Sequence, residues 1–104
     1  MKICILGAGA LGCAIGGSLA ESGADVLLVN RSQPHVNAMN SAGLRMRDGD
    51  TERAVKVRAA TSCKGLAPVD LVIVLVKSFD TRAVIESAAD LIGDHTAVLS
   101  LQNG

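Results

Sequence analysis

Apolar residues along this 104-residue chain fall into two textures: short unbroken aliphatic runs, and stretches where apolar positions recur every three or four residues. Lys2 to Leu6, Asp25 to Val29, Leu71 to Val76 and Ala97 to Leu101 are runs of strand length. Continuous aliphatic character of this kind marks parallel strands covered on both faces. Between the first two runs, Leu11, Ile15 and Leu19 recur at helical spacing, and Gly23 stops that helix after Ser22. Ser32 and Pro34 mark a second helix start, a cap followed by an early proline, and Gly43 ends it after Ala42. A third helix is expected from about Thr81, with Val84, Ala88, Leu91 and Ile92 on one face. One region reads differently. Leu44 to Arg47, an Asp48-Gly49 turn and Thr51 to Ala59 alternate polar with apolar, as an antiparallel hairpin would. Val55, Val57 and Ala59 share one face of it, Lys56 and Arg58 the other. Thr61 to Val69, containing Pro68, is a connecting loop.

The order is strand, helix, strand, helix, hairpin, strand, helix, strand. Alternation with short loops implies right-handed crossovers and a parallel sheet, with the hairpin as an insertion or edge. The expected fold class is therefore α/β, in one domain spanning residues 1–104. No repeat, low-complexity segment or linker interrupts it.

Composition sharpens the picture. Val, Leu, Ile and Ala dominate the apolar set, with one Phe and no Trp or Tyr. Eleven glycines are too many for plain helix or strand interiors, so several should hold special backbone positions. Ten basic and ten acidic side chains cancel, with no basic block and almost no aromatics to stack on bases. Nucleic acid is accordingly not an expected partner. The longest apolar runs are strand-length and span no membrane, and the N-terminus carries no signal-peptide pattern. Cys4, Cys13 and Cys63 are an odd set without metal-ligand spacing, which fits a reducing cytoplasm and no metal site. Cys13 has no local His partner and reads as a small packed thiol. His35 and His95 read as ordinary helix or loop residues, and no catalytic triad can be assembled.

The segment Gly7-Ala8-Gly9-Ala10-Leu11-Gly12 matches the dinucleotide fingerprint. Gly7 lets the chain turn sharply out of a strand, Gly9 lets backbone N–H groups approach a pyrophosphate, and Gly12 lets the helix lie close to the sheet. The helix N-terminus adds unpaired donors and its positive dipole end. Position confirms the match, since the motif follows a strand, opens a helix and precedes a second strand. The expected fold is thus a Rossmann-type parallel sheet with helices on both faces and an inserted hairpin. Gly16 and Gly17 extend the small surface one turn further, and close packing is a sufficient reason for them.

The end of the second strand bears on cofactor choice. An Asp or Glu there usually holds the ribose 2′-hydroxyl of NAD. This chain has Asn30 and then Arg31. Asn30 does not repel a 2′-phosphate, and Arg31 can bind one in a planar fork while stacking on adenine. NADP (NADPH) is the expected cofactor, although a lone arginine is more often solvated surface. Lys77 and Asn103 follow two further strands, whose carboxyl ends border the ligand crevice of an open α/β sheet. On residue logic alone Lys77 is a strand-ending surface lysine and Asn103, before Gly104, a turn residue.

Taken in order, ICILGAGALGCAIGGSLAESGADVLLVNR, GLRMRDGD, VDLVIVLVKSFDT and LQNG resemble the N-terminal domain of the ketopantoate reductases, over essentially the whole chain. The resemblance implies NADPH-dependent reduction of a 2-oxo acid, 2-dehydropantoate to (R)-pantoate, toward pantothenate and coenzyme A. It implies that Gly7, Ala8, Gly9, Ala10, Leu11 and Gly12 hold the pyrophosphate and Arg31 the 2′-phosphate. Lys77 would contact the cofactor, and Asn103 would lie between cofactor and substrate. The catalytic lysine of that family lies in a helical C-terminal domain, so no catalytic residue is expected in this chain and the fold is expected to be incomplete. The expected partners are a small-molecule 2-oxo acid and, for the full-length protein, a second copy in a homodimer. Two rivals stand beside this reading: a glycerol-phosphate or opine type of dehydrogenase, and a nucleotide-sensing module without turnover.

Overall fold

The computed structural model describes residues 1–7, 10–75, 86 and 88–100. Strand β1 (Lys2–Leu6) leads to helix α1 (Ala10–Glu21), strand β2 (Asp25–Val29) and helix α2 (Gln33–Ala42). Then come β3 (Leu44–Asp48), β4 (Thr51–Val55), β5 (Arg58–Ala60), β6 (Leu71–Val74) and β7 (Ala97–Ser100). Five strands form one sheet in the order β5-β2-β1-β6-β7, and every pairing in it is parallel. Counting only these strands along the chain, the order is 3-2-1-4-5, that of the doubly wound dinucleotide-binding sheets. The strand order reverses between β1 and β6, so that is where a crevice opens.

Period-two alternation assigns each strand residue to a face. Ile3, Ile5, Val26, Leu28 and Ile73 face one layer, where they pack with Val36 and Met39 of α2 and with Ile15 and Leu19 of α1. Cys4, Leu6, Leu27, Val72 and Val74 face the other, against Cys63, Val69, Ala88 and Leu91. Both faces of the central strands are buried, as their unbroken aliphatic runs require.

Helix α2 starts and stops on its punctuation. Ser32 is the N-cap and its hydroxyl accepts the His35 N–H, Pro34 sits in the first turn, and Gly43 closes the helix at φ 83°. In α1 the expected Leu11–Ile15–Leu19 face is only partly realised. Leu11 is 57% exposed, whereas Gly12 and Gly16 are the positions set against the sheet. A helix seated this close leaves no room for side chains on its contact line, and Leu11 lies one position off it.

The hairpin departs from its expected bounds in two ways. Asp48 pairs with Thr51, so the turn is Gly49-Asp50, one residue later than expected. Gly49, at φ 63°, takes the left-handed first position of a type II′ turn. In addition, β4 stops at Val55, and Arg58–Ala60 leaves the hairpin to pair parallel with β2. Alternation runs unbroken through both strands because Val55, Val57 and Ala59 are all buried in the same cluster; it reports the face a residue shows, not the strand it pairs with. Asn40 of α2 seals the outer edge of β5. Its amide donates to Ala59 O and accepts the Ala59 N–H, both at 2.9 Å.

Strand β6 ends at Val74, although the Leu75 N–H still donates to Leu6 O at 3.0 Å. Most of the expected third helix, with Val84, lies outside the described residues, as do Val76 and Leu101. Its far end is a 3₁₀ turn, Ala89–Leu91, in which Leu91 is buried. Among the described residues, no helix is long and apolar enough to cross a membrane.

Candidate functional site

The crevice is built from the carboxyl ends of β1 and β6. Strand β1 delivers Gly7 at φ 88°, a left-handed conformation that glycine adopts without strain. Ala8 and Gly9 lie outside the described residues, and the chain resumes as the first turn of α1 with Ala10, Leu11 and Gly12. A Cβ on Gly12 would meet the Gly7 carbonyl oxygen at 3.0 Å, with Ile5 Cγ2 and Leu75 Cδ1 both at 3.4 Å. The third glycine of the fingerprint therefore holds the helix down on the turn itself. One turn on, a Cβ on Gly16 would approach Leu28 Cδ2 to 2.6 Å and Ile5 Cδ1 to 3.1 Å. Close packing on the sheet accounts for Gly16. Gly17 instead faces Met46 of the hairpin, whose sulfur would collide with any Cβ there.

The second wall is the end of β2. Asn30 continues the sheet edge by donating its N–H to Ala60 O at 3.0 Å. Its Oδ1 accepts the Ser32 N–H at 2.8 Å, an Asx-type turn that fixes the side chain, and its Nδ2 lies 3.4 Å from His35 Nδ1. Arg31 follows and is exposed. The strand end that carries a carboxylate in NAD-type sites thus presents an amide held in place and a guanidinium. Lys77 and Asn103 lie outside the described residues. The strands that lead to them, β6 and β7, run parallel to β1, so their carboxyl ends share the edge on which Gly7 lies.

Beside this edge a cleft of about 760 Å³ runs between α1, α2 and β3. The hairpin that closes it is tied to α1 by Arg53, which donates to both oxygens of Glu21, at 2.5 and 2.7 Å. That bidentate pair holds the Glu21 carboxyl below the usual carboxylate range. The pattern of residues did not reveal the cleft, because its walls come from three elements separated in sequence.

None of the three thiols is disposed as a nucleophile. Burial pushes the Cys13 thiol up, the opposite of what the start of a helix does to a reactive cysteine. Cys4 and Cys63, both buried, share a thiol–thiol hydrogen bond that raises Cys4 and lowers Cys63. Nothing in their spacing, 59 residues apart, pointed to that pair.

Five parallel strands in this order, with a glycine turn at the switch point, define a Rossmann-like α/β domain. Within that class the chain belongs to the ketopantoate reductase PanE/ApbA family, whose model matches residues 3–104. It is 48% identical over 104 residues to the 2-dehydropantoate 2-reductase of Pyrococcus horikoshii, covering all of this chain and 33% of that protein. Among solved structures, the PanE/ApbA family ketopantoate reductase of Ralstonia eutropha JMP134 is 39% identical with a TM-score of 0.89, over 100% of this chain and 35% of that one. A D-mandelate dehydrogenase solved with NADH and anilino(oxo)acetate is 34% identical, also with a TM-score of 0.89, over 100% of this chain and 34% of its own. The chain spans about a third of the length of these relatives. The family resemblance read from the four quoted segments is borne out.

Proposed function

We propose that the full-length protein reduces a 2-oxo acid with NADPH, converting 2-dehydropantoate to (R)-pantoate in pantothenate and coenzyme A biosynthesis. The observation that carries the cofactor choice is the end of β2. There Asn30 is pinned by Ser32 and His35, and Arg31 stands exposed where an acidic residue would have held a bare ribose. The glycine turn fits a dinucleotide, because a side chain at Gly12 would push on the Gly7 carbonyl and deform the cradle.

When bound, the nicotinamide would supply hydride to the carbonyl carbon of the acid. Gly7 to Gly12 present backbone N–H groups and the N-terminal end of α1 to the pyrophosphate. Arg31 would pair with the 2′-phosphate, and Lys77 would contact the cofactor. Asn103 offers an amide donor and acceptor between the nicotinamide and the substrate. The proton for the new hydroxyl comes from a lysine outside this chain, as in the family it belongs to. The three free thiols support work in a reducing cytoplasm, and the assembly we propose is a homodimer of the full-length protein.

A second reading is favoured by the D-mandelate dehydrogenase, a neighbour of similar likeness that holds NADH. Under that reading the protein is an NADH-linked enzyme acting on a different 2-oxo acid. Titrating the full-length protein with NADPH and NADH separates the two. Charge-assisted hydrogen bonds contribute about 1.5–3 kcal/mol, so Arg31→Ala should weaken NADPH binding roughly ten- to a hundredfold and hardly move NADH. Equal losses for both cofactors would leave Arg31 without a role in selection.

A further inference from the structure

Basic side chains other than Arg31 line the cleft that starts at the end of β2. The cleft between α1, α2 and β3 begins at Asn30, the residue before Arg31, and passes Cys13 and Ala14, which directly follow the glycine motif. It is therefore continuous with the wall on which the adenosine end of a dinucleotide would lie. Its floor is apolar, with Ala38, Met39, Leu44 and Met46 among its lining. Its basic lining residues are His35, Arg45 and Arg47, and none of the described lining residues is Asp or Glu. A ligand suited to that surface has a flat or apolar body and a compact anionic group. A volume of about 760 Å³ is ample for a phosphorylated nucleoside.

The two arginines are not equivalent. Arg45 is engaged with Glu52 at 3.1 Å. Arg47 stands opposite Glu52 in the hairpin register, and among the described residues it has no ion pair. His35 is held through Nδ1 by the Asn30 amide, which fixes the ring next to the end of β2 and leaves Nε2 to donate elsewhere. The hairpin is anchored to α1 through Arg53–Glu21 and the Gly17–Met46 contact, so Arg47 is carried on a placed strand.

Resting on the NADPH reading above, we propose that this cleft takes the 2′-phosphorylated adenosine end of the cofactor, with Arg47 and His35 joining Arg31 in reading the phosphate. The β3–β4 hairpin is then a specificity element and not a passive insertion. A dianion facing three donors from separate elements gains charge-assisted bonds that a 2′-hydroxyl gains far less from.

The test is calorimetric titration of the full-length protein with adenosine 2′,5′-bisphosphate and with 5′-AMP, for the parent, Arg47→Ala, His35→Ala and Arg45→Ala. The parent should prefer the bisphosphate. Arg47→Ala should weaken bisphosphate binding about tenfold, the loss of one such bond, while 5′-AMP binding moves less than twofold. His35→Ala should fall in the same direction by less, and Arg45→Ala, already paired with Glu52, least. Arg47 is exposed, so its removal should leave the thermal midpoint in place, and that control separates a lost contact from a lost fold. If Arg47→Ala binds the bisphosphate as the parent does, or loses both ligands alike, the proposal fails while the NADPH reading stands. If the parent itself shows no preference for the bisphosphate, the NADPH reading fails and takes this one with it.

Discussion

Replacing Gly16 by alanine sets two known effects against each other. The new methyl would lie 2.6 Å from Leu28 Cδ2 and 3.1 Å from Ile5 Cδ1, whereas carbons rest at about 3.5–4.0 Å. Leu28 and Ile5 are fully buried, so neither can swing into solvent. Overpacking of this kind costs about 1–3 kcal/mol, and alanine returns up to about 1 kcal/mol of helix propensity. With two fully buried side chains in the way the cost falls in the upper part of that range, about 2–3 kcal/mol, so the net expectation is a loss of about 1–2 kcal/mol. At about 2.1 cal/mol/K of unfolding entropy per residue, a protein about three times the length of this chain shifts by roughly 1.5 °C per kcal/mol, which lowers the midpoint of the full-length protein by about 1.5–3 °C. Gly17→Ala is the informative partner. Its methyl would meet Met46 even more closely, yet Met46 is a flexible thioether, only partly buried, that can turn aside. Gly17→Ala should therefore destabilise less than Gly16→Ala. Both are read by thermal unfolding followed by circular dichroism. A Gly16→Ala protein as stable as the parent, or a larger loss at Gly17, would refute the view that α1 is clamped to the sheet along Gly12 and Gly16.

Three further outcomes are expected. Gly9→Val should abolish cofactor binding with little change in the ligand-free thermal midpoint, since a branched side chain there displaces the pyrophosphate; an unchanged NADPH titration would remove the fingerprint from the account. Asn103→Ala should lower kcat far more than it lowers NADPH affinity, and wild-type kinetics would leave Asn103 a turn residue. Arg53 lowers the Glu21 pKa, so the stability this pair adds is present at neutral pH and lost as the pH falls through that lowered value, below the ordinary carboxylate range. The midpoint difference between the parent and Glu21→Gln should shrink to nothing on acidification, and a difference independent of pH would show that the ion pair is not its source.

How far the fold could be read from the residues depended on whether the signal was local. Strand runs, the Ser32–Pro34 start and the Gly43 stop act over a few residues. Strands β1 and β2 and both ends of α2 are found where the pattern put them. Strands β6 and β7 begin where expected, with Val76 and Leu101 outside the described residues. The hairpin failed at its far end because burial pattern cannot tell an antiparallel partner from a parallel one. Val57 and Ala59 are buried on the side expected, but Arg58–Ala60 pairs with β2. In α1, apolar spacing favoured a leucine stripe, while the real contact line is glycine, invisible to any measure of hydrophobicity. The site was legible where a backbone demand leaves a glycine behind, at Gly7 and Gly12. It was not legible where walls assemble from distant elements. His35 looked like an ordinary helix residue, and its place beside Asn30 depends on a turn that only the folded chain makes.

The most direct test of the central claim is steady-state oxidation of NADPH by the full-length protein with 2-dehydropantoate, compared with NADH at matched concentrations. The account predicts turnover with a large preference in kcat/KM for NADPH, and loss of most of that preference in Arg31→Ala. Equal or better turnover with NADH, or no reduction of 2-dehydropantoate under conditions where another 2-oxo acid is reduced, would contradict it.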